Sequence, residues 1–464
     1  MGPCVRYLAA VQVLLTHGYY LVQDPHEAEL MRPFPPLGIQ YLVAALREAG
    51  VGAEWWDATW QSGPEAFPAA LDAVRPDVVG FYGHTITRPV TAGMVAEAVG
   101  RGLRVVAGGP DPVQYLDEYL GMGVEVVVIG EGERTLVELV AHLRANGGRW
   151  DFSTLANVAG IAFRRDGAVV RTAARALIRP LDSLPWPARE RNDLAAYFSA
   201  WRTRHGETAL SMTTSRGCPY HCTWCSKQVY GDTFRRREPD AVIDELLAMR
   251  EAFAPDQIWF VDDMFTINKR WVERFCTRMI ERGAVMPFYV IGRAETLEPA
   301  QLALMRAAGC YRMYVSAESG ADHVLEAMKK GTTVAELKTA GRMLREAGIE
   351  MGAFVMLGYP GEARPDVLAT RDLLRELRPA VTLVSVAHPM KGTAFYNAVQ
   401  DEVTGVSGGR LRFRMAYSDR FYDAAQRMLW ADERVRRARE EGDPARWLGA
   451  AARYAWWRGV LTLP

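Results

Sequence analysis

Short apolar runs alternate with amphipathic stretches through the first 148 residues. Between the apolar runs, hydrophobic residues recur at helical spacing, as in 37–48, 91–99 and 134–143. Five runs have the length and composition of buried strands, at residues 11–16, 52–56, 77–82, 103–107 and 124–129. Apolar strands separated by helices are typical of a parallel sheet with crossover helices. The pattern predicts a doubly wound, flavodoxin-like α/β domain over residues 1–148.

The next segment, residues 149–205, lacks this alternation, and we predict a linker there. Arg165-Asp166-Gly167 lies between two short β-like runs, 160–163 and 169–171, which predicts a hairpin turn. Three prolines then interrupt any longer regular element, namely Pro180, Pro185 and Pro187.

Strand and helix patterns resume near residue 206 and continue to about residue 400. Helical periodicity recurs at 241–250, 271–281 and 334–346. Six strands are predicted, at 210–214, 257–261, 288–291, 312–316, 352–357 and 382–387. Six βα units are too few for a closed eight-stranded barrel, so we predict a partial (β/α)6 barrel over residues 206–400. In such folds the chemistry lies at the carboxyl ends of the strands.

Residues 401–464 predict a helical C-terminal region that is rich in arginine and tryptophan. The tryptophans are Trp430, Trp447, Trp456 and Trp457. We expect them to pack against the core or to cap it, with a substrate cap or a membrane-surface contact as the alternative.

Composition limits the function classes. The 464 residues carry 55 basic and 55 acidic side chains, so the net charge is zero and offers no electrostatic footprint for nucleic acid. No apolar run approaches the roughly 20 residues of a membrane span, so we expect no transmembrane segment. The first residues show neither a myristoylation signal nor a small-residue cleavage site, and we therefore expect a cytoplasmic protein.

Three cysteines are concentrated in one short stretch. Cys218, Cys222 and Cys225 have the spacing C-x3-C-x2-C. Three thiolates this close suit three corners of one iron–sulfur cube and leave the fourth iron without a protein ligand. An open metal position is a place where chemistry can occur, as it is in catalytic zinc sites.

Zinc and disulfides are the alternatives for these thiols. Structural zinc usually takes four protein ligands, often from two C-x-x-C pairs, and the sequence has no second pair. Six cysteines in 464 residues without a secretion signal favour a reducing compartment over a disulfide framework. Cys4, Cys276 and Cys310 are scattered, and we predict that the last two are small buried residues.

The cysteine motif, with Trp224 just before its third cysteine, resembles that of the radical S-adenosylmethionine (radical SAM) enzymes, specifically their cobalamin-binding branch. The resemblance extends over roughly residues 30–395. Five further runs match in order, each near a predicted strand end: Phe-Val-Asp-Asp-Met-Phe at 260–265, Gly-Arg-Ala-Glu at 292–295, Ala-Glu-Ser-Gly at 317–320, Gly-Tyr-Pro-Gly-Glu at 358–362 and His-Pro-Met-Lys-Gly-Thr at 388–393.

The N-terminal half resembles the cobalamin domain joined to such barrels. Its matching runs are Arg-Pro-Phe-Pro-Pro-Leu-Gly at 32–38, Gly-Phe-Tyr-Gly-His-Thr at 80–85, Ala-Gly-Gly-Pro at 107–110 and Gly-Glu-Gly-Glu at 130–133. The D-x-H-x-x-G motif, whose histidine ligates cobalt in some cobalamin domains, is incomplete, because the string from Asp24 to Glu29 lacks the glycine. We therefore expect no lower histidine ligand there, with His84 as the alternative residue near the corrin.

The resemblance implies three cofactors: a 4Fe–4S cluster, SAM and cobalamin. The three cysteines would ligate the cluster, and Glu318 would be a further catalytic residue that contacts SAM, unless it forms a structural ion pair. Other residues implied in cofactor binding are His84, Thr85, Gly108, Gly109, Gly130, Glu131, Gly132, Trp224, Asp262, Asp263, Arg293, Gly358 and Gly361. Asp262 and Asp263 could instead pair with Arg293.

The resemblance also implies a reaction. The cluster would split SAM to a 5′-deoxyadenosyl radical, with electrons from a flavodoxin or ferredoxin, and a methyl group would pass to an unactivated carbon of a small-molecule substrate. A non-methylating cyclase or ring-rearranging enzyme, similar to the magnesium-protoporphyrin ester cyclases, is the alternative. A cobalamin sensor without catalytic activity would not need the cysteine triad.

Overall fold

The computed structural model describes residues 11–407 and 409–461. Cys4 therefore lies outside the described residues. Cys276 and Cys310 are fully buried, as predicted, and burial raises the pKa of Cys276 to about 12. Within the described ranges, no helix combines the length and the hydropathy needed to cross a membrane.

The N-terminal part is built around one twisted sheet. Its strands are β1 (Gln12–His17), β2 (Gly52–Trp56), β3 (Val78–Tyr82), β4 (Arg104–Gly108), β5 (Val126–Val128), β6 (Ile161–Arg165) and β7 (Ala168–Arg171). The strand order is β2-β1-β3-β4-β5-β6-β7, and the first five strands are parallel. The order of these five strands is that of a flavodoxin-like fold, as predicted.

Helices cover both faces of this N-terminal sheet. The helices of this part of the chain are α1 (Pro25–Leu30), α2 (Leu37–Glu48), α3 (Phe67–Val74), α4 (Arg88–Gly100), α5 (Pro110–Gln114), α6 (Leu116–Gly121), α7 (Gly132–Ala145), α8 (Phe152–Leu155) and α9 (Arg191–His205), of which α9 contributes Leu194 to the core of the half-barrel. Two apolar clusters result, one on each face, as expected for strands that are hydrophobic on both sides.

The hairpin predicted inside the linker belongs to this sheet. β6 and β7 pair antiparallel around the turn at Asp166 and Gly167, and β6 pairs antiparallel with β5. Ile161 and Phe163 are fully buried against the core. The linker interpretation missed this pairing because the partner strand, β5, lies more than thirty residues earlier in the chain.

The second part is an open half-barrel of six parallel strands in chain order. The strands of this region, including a short pair beside the barrel, are β8 (Ala209–Met212), β9 (Ser215–Arg216), β10 (Arg235–Arg236), β11 (Gln257–Phe260), β12 (Phe288–Gly292), β13 (Cys310–Glu318), β14 (Glu350–Leu357) and β15 (Val381–Val386). The half-barrel has the order β15-β14-β13-β12-β11-β8, and β9 and β10 form their own antiparallel pair. All six predicted barrel strands are present.

Helices pack on the outer face of the half-barrel. They are α10 (Pro239–Phe253), α11 (Lys269–Glu281), α12 (Pro299–Ala307), α13 (Asp322–Ala327), α14 (Val334–Glu346) and α15 (Arg364–Leu377). α11 illustrates why: Trp271, Phe275 and Met279 recur every four residues and are buried, while Asn268 accepts a hydrogen bond from the Trp271 amide and caps the helix.

Aromatic rings line the opposite, inner face of the half-barrel. Trp259, Tyr289, Tyr314 and Phe354 lie on four successive strands, with ring centroids 5.9, 6.0 and 5.3 Å apart. Phe34, which precedes α2 in the N-terminal part, adds a fifth ring 5.0 Å from Trp259. The two parts of the chain therefore share one aromatic cluster.

The C-terminal region begins with α16 (Ala394–Val399) and a hairpin, β16 (Val403–Ser407) and β17 (Arg410–Phe413), and continues with α17 (Asp419–Glu440) and α18 (Pro444–Val460). The hairpin was not predicted, although Arg-Leu-Arg-Phe at 410–413 alternates polar and apolar residues as a strand does. α17 packs on α15, where Asp432 accepts hydrogen bonds from Arg375. Of the four tryptophans, Trp456 is exposed and the other three are half-buried.

Substitutions at two glycines, Gly283 and Gly309, test how closely the helices pack on the half-barrel. Gly309 and Gly283 both follow a helix and both have positive φ. An added Cβ at Gly309 would lie 2.0 Å from the Met286 carbonyl oxygen, whereas at Gly283 it would meet nothing within 4 Å. Gly283→Ala should lower the free energy of unfolding by about 1–2 kcal/mol through backbone strain alone.

Gly309→Ala should lower the free energy of unfolding by about 1–3 kcal/mol more than Gly283→Ala does, because the backbone around Met286 must move. Urea denaturation of the full chain, followed by tryptophan fluorescence, measures both variants. Equal midpoints for the two variants would contradict the packing described here.

Candidate functional site

The carboxyl ends of both sheets open onto one cavity of about 730 Å³. The N-terminal sheet contributes the ends of β1, β3, β4 and β5, and the half-barrel contributes the ends of β12 and β13 together with Phe354 of β14. Of the predicted site residues, the cavity is lined by Gly108, Gly109, Gly130, Glu131, Gly132, Cys218, Cys222, Trp224, Cys225, Asp263, Arg293 and Glu318. This edge is where ligands bind in open α/β sheets and in barrels.

The three cysteines lie on one loop, residues 217–234, which we call the cysteine loop. β9 and β10 close its base, with Arg216 opposite Arg235. Gly217 has φ +83°, and an added Cβ there would lie 2.1 Å from the Thr233 carbonyl oxygen. The base of the loop is therefore tight, and a glycine is required where the chain enters it.

Asp262 holds the chain just before the cysteine loop. Its buried carboxylate accepts hydrogen bonds from the Thr214 amide at 2.6 Å, the Ser215 amide at 3.0 Å and the Thr213 hydroxyl at 3.1 Å. Asp262 does not line the cavity, and its hydrogen bonds are those of a structural residue. Its neighbour Asp263 does line the cavity, and burial raises the pKa of that carboxyl.

The middle of the cysteine loop is fastened to the half-barrel through Thr223. Its amide donates to the Met328 carbonyl at 3.1 Å, and its hydroxyl lies 2.6 Å from the Tyr359 hydroxyl. The Phe395 amide donates to the Thr223 carbonyl at 2.9 Å. The run Gly-Tyr-Pro-Gly-Glu therefore supports the loop through its tyrosine.

The glycines of that run lie away from the cavity. Gly358 and Gly361 do not line it, and both have positive φ in the turn around Pro360. The Gly358 amide donates to Glu362 at 2.5 Å, and burial raises the pKa of Glu362 to about 7. Among the described contacts, these two glycines shape a turn.

The three thiols differ in exposure and in electrostatics. Cys222 is buried, Cys218 is half-buried and Cys225 is exposed. A hydrogen bond from Cys225, together with the positive charges of Lys330 and Arg293, lowers the pKa of Cys222 to about 5, whereas burial raises the pKa of Cys218. The thiolate is the form that binds metals, and the pKa of the Cys225 thiol is raised by its hydrogen bond with Cys222.

Arg293 reaches the cysteine loop from the end of β12. Its guanidinium lies 3.8 Å from the Cys222 sulfur and stacks 3.8 Å above the Tyr220 ring. It also pairs with Glu295 and donates to the Lys330 carbonyl. The prediction that Asp262 or Asp263 pairs with Arg293 is not borne out among these contacts.

Glu318 ends β13 in a strained conformation. Its φ is +57°, which is unusual for a residue with a Cβ, and a β-bulge precedes it. The buried carboxylate lies 3.6 Å from Lys330 Nζ, and burial raises its pKa. Lys330 also lies 5.5 Å from the Trp224 ring, so these three side chains form one group on the cavity wall.

Lys330 was not among the predicted residues. It follows α13 rather than a strand, so its place in the chain gave no signal. The charged run Lys-Lys-Gly-Thr-Thr at 329–333 reads as a solvated helix end, although the Lys330 side chain is 4% exposed.

Glycines form the N-terminal wall of the cavity. Gly109 has φ +103°, and an added Cβ would lie 2.9 Å from the Tyr82 ring. At Gly108 and Gly130 an added Cβ would make only ordinary contacts, at 3.6 Å from Val128 and from the Val229 carbonyl oxygen respectively, and both glycines line the cavity. This wall of bare backbone lets a large ligand approach the sheet edge closely. Tyr82 also lines the cavity and was not predicted.

His84 and Thr85 lie beyond the cavity wall. Neither residue lines the cavity. His84 is exposed and accepts a hydrogen bond from the Ile86 amide, which caps a short turn. The Thr85 hydroxyl donates to Asp111 at 3.0 Å. These contacts place both residues in the turn that follows β3.

Glu131 joins the two halves of the cavity wall. Arg216 donates to its carboxylate at 2.7 Å, Arg235 at 2.8 Å and the Ile178 amide at 2.8 Å. Arg216 also pairs with Glu133 at 2.5 Å. Glu131 was predicted to bind cofactor; it lines the cavity, and its carboxylate accepts hydrogen bonds from the two arginines at the base of the cysteine loop.

The donor set suits an iron–sulfur cluster. Within the described residues, no group of three or more His, Cys, Asp or Glu side chains is arranged to hold a single metal ion. A 4Fe–4S cluster spaces its ligands more widely, because each cysteine binds a different iron. Three thiols on one loop that lines the cavity match a cluster with three cysteine ligands and one open iron. The glycine wall opposite them fits a large planar ligand such as a corrin.

Comparison with known families agrees with this arrangement. Residues 212–374 match the Radical SAM superfamily, and residues 28–140 match the B12 binding domain. The first match includes the cysteine loop and the ends of β11 to β14, and the second includes the glycine wall.

Two curated relatives cover most of the chain. An uncharacterized methyltransferase of Pyrococcus horikoshii is 28% identical over 391 residues, which cover 81% of this chain and 82% of that protein. The anaerobic magnesium-protoporphyrin IX monomethyl ester cyclase of Cereibacter sphaeroides is 29% identical over 395 residues, covering 81% of this chain and 62% of that protein.

The fold recurs in a solved structure. The radical SAM methyltransferase TsrM from Kitasatospora setae, with cobalamin and a [4Fe-4S] cluster bound, superposes with a TM-score of 0.68 at 21% identity, covering 86% of this chain and 76% of that chain. With both family matches in one chain and both matched regions facing one cavity, the chain combines a Radical SAM domain with a B12 binding domain.

Proposed function

We propose that the protein is a C-methyltransferase that acts on an unactivated carbon of a small molecule. The observation that carries this proposal is the shared cavity, because the cysteine loop and the glycine wall border the same space of about 730 Å³. A substrate in that space would lie within reach of both cofactors, as transfer between them requires.

The ligands of the cluster in this proposal are Cys218, Cys222 and Cys225. When bound, the cluster and SAM supply a radical that removes hydrogen from carbon, and cobalamin supplies the methyl group. Arg293 and Lys330 place two positive charges near Cys222, which stabilises the thiolate against the cost of its burial. Thr223 and Asp262 keep the loop in place through the hydrogen bonds described above.

Glu318 and Lys330 would bind the polar end of SAM. SAM carries an ammonium and a carboxylate, and the cavity wall offers one buried group of each opposite charge. The strained backbone at Glu318 turns its side chain toward Lys330, and strain of this kind is typical of functional sites. Trp224 packs beside Lys330 and shields the pair from solvent.

Most of the remaining wall is apolar and suits radical chemistry. Met264, Ile291 and Phe354 face the cavity. Such side chains exclude water from the site and favour an apolar portion of a substrate. The cyclase relative in Cereibacter sphaeroides supports a second candidate, a non-methylating enzyme that closes or rearranges a ring.

Labelled SAM distinguishes these two candidates. With methyl-deuterated SAM, a small-molecule extract and an anaerobic reductant, a methyltransferase should release S-adenosylhomocysteine and 5′-deoxyadenosine together, because one SAM donates methyl and another starts the radical. Mass spectrometry should find a product that gained the labelled methyl group. A converted product without the label, alongside 5′-deoxyadenosine, would replace the methyltransferase proposal with the cyclase.

Replacement of Cys222 tests the cluster. Cys222→Ala should reduce bound iron and sulfide, and 5′-deoxyadenosine formation, to background after anaerobic reconstitution, because only two thiolates remain. Cys276→Ala is the control, since Cys276 is buried in the core away from the cavity. Undiminished iron and sulfide in Cys222→Ala would refute the assignment of this ligand.

Glu318→Gln tests the SAM contact. Loss of one charged hydrogen bond, worth about 1.5–3 kcal/mol, should weaken SAM affinity about 10- to 100-fold without loss of the cluster. The measurement is a SAM titration of the reduced cluster followed by electron paramagnetic resonance. Glu350→Gln is the control, because Glu350 pairs with Arg312 at the amino end of β14. An unchanged SAM affinity in Glu318→Gln would assign Glu318 to the structural ion pair alone.

A further inference from the structure

Four charged residues form a buried network between the two parts of the chain: Glu131, Glu133, Arg216 and Arg235. The side chains of Glu131, Arg216 and Arg235 are at most 5% exposed. Buried ions need partners of opposite charge, and here each arginine belongs to the half-barrel region while each glutamate belongs to the N-terminal sheet region. The network therefore exists only when the two parts are docked.

The arginines of this network stand at the two ends of the cysteine loop. Arg216 precedes Gly217 and Cys218, and Arg235 follows the last loop residue. The two residues are paired across β9 and β10, and Glu131 accepts hydrogen bonds from both. A single carboxylate thus clamps the base of the loop that carries the cysteines.

The carboxylate of Glu131 is equally tied to the glycine wall. Gly130 and Gly132 flank it in the chain and line the cavity. Gly130 also lies close to the cysteine loop, since its added Cβ would be 3.6 Å from the Val229 carbonyl oxygen. A ligand bound against Gly130 and Gly132 would contact the backbone on either side of Glu131.

We propose that Glu131 is a positioning residue that couples cobalamin binding to the order of the cysteine loop. The inference rests on the function proposed above. A loop ordered by its cluster holds Arg216 and Arg235 against Glu131, which keeps the glycine wall in its binding conformation. Coupling is reciprocal, so cobalamin strengthens retention of the cluster by the same factor.

Hydroxocobalamin affinity of the full chain tests this coupling. Equilibrium dialysis under anaerobic conditions gives the Kd for cluster-free protein and for protein reconstituted with iron and sulfide. The wild type should bind hydroxocobalamin at least about fivefold more tightly with its cluster than without it. In Glu131→Gln the two Kd values should converge, since a neutral amide no longer pairs with the guanidinium groups.

Two further variants separate coupling from general damage. Arg216→Lys keeps the charge and loses the fork that reaches both carboxylates, so its ratio of Kd values should also fall toward one. Glu245→Gln removes an equally buried carboxylate that pairs with Arg189 and Arg237 and contacts neither Glu131 nor Glu133, so its ratio should stay as in the wild type. If Glu131 had a purely structural role, its replacement would raise the Kd of both the cluster-free and the reconstituted protein and would leave the ratio of the two Kd values unchanged.

The outcomes are distinct. The coupling would be overturned if the wild-type protein had the same Kd for hydroxocobalamin with and without its cluster. It would also be overturned if Glu131→Gln and Arg216→Lys both kept the wild-type ratio of these two Kd values. Absence of hydroxocobalamin binding in both wild-type forms would overturn the proposed function together with the inference.

Discussion

The arrangement of the site depends on one buried ionic contact, the pairing of Glu131 with Arg216 and Arg235. Charges this deeply buried are costly unless they are paired, so a different docking of the two parts that kept Glu131, Arg216 and Arg235 buried but apart would be disfavoured. The contact therefore specifies how the glycine wall and the cysteine loop face each other. Because Arg216 and Arg235 lie at the two ends of the cysteine loop, the same contact that docks the two parts also restricts where the three thiols lie.

Local strain and local support accompany this contact. The chain enters the cysteine loop through Gly217 with positive φ and leaves β13 through Glu318 with positive φ, and both positions border the cavity. Only Glu318 is strained by its positive φ, since glycine adopts that conformation readily, and Asp262 and Thr223 hold the backbone around the cysteine loop with buried hydrogen bonds. The polar groups that look catalytic in the sequence are thus divided between groups that face the cavity and groups that hold those in place.

Local patterns in the sequence predicted most of the fold. α2 begins and ends where its periodicity begins and ends, and the six strands of the half-barrel follow their apolar runs. The three cysteines were recognisable because they share one loop, so their proximity needs no tertiary information. The hairpin of β6 and β7 was recognised as a turn, but its place in the sheet depends on β5.

Roles that depend on distant partners were not predictable. Glu131 meets arginines 85 and 104 residues away, and Lys330 reaches Glu318 from the far side of α13. Asp262 and its neighbour Asp263 are indistinguishable in the sequence, yet one holds the backbone of residues 213–215 and the other lines the cavity. Strand-end motifs therefore predict where a site lies better than they predict what each side chain does there.

The packing of Phe34 against the half-barrel has a consequence for domain exchange among relatives. Its ring packs against Trp259 of β11 and against Trp201 of α9, and the Trp201 indole donates to the Pro33 carbonyl at 2.8 Å. A chimaera that took its cobalamin domain from another family member would carry a foreign residue into this aromatic contact. Recombination would therefore preserve this contact only if residues 33–36 were inherited together with α9 and β11, so that the unit of exchange is larger than the cobalamin domain itself.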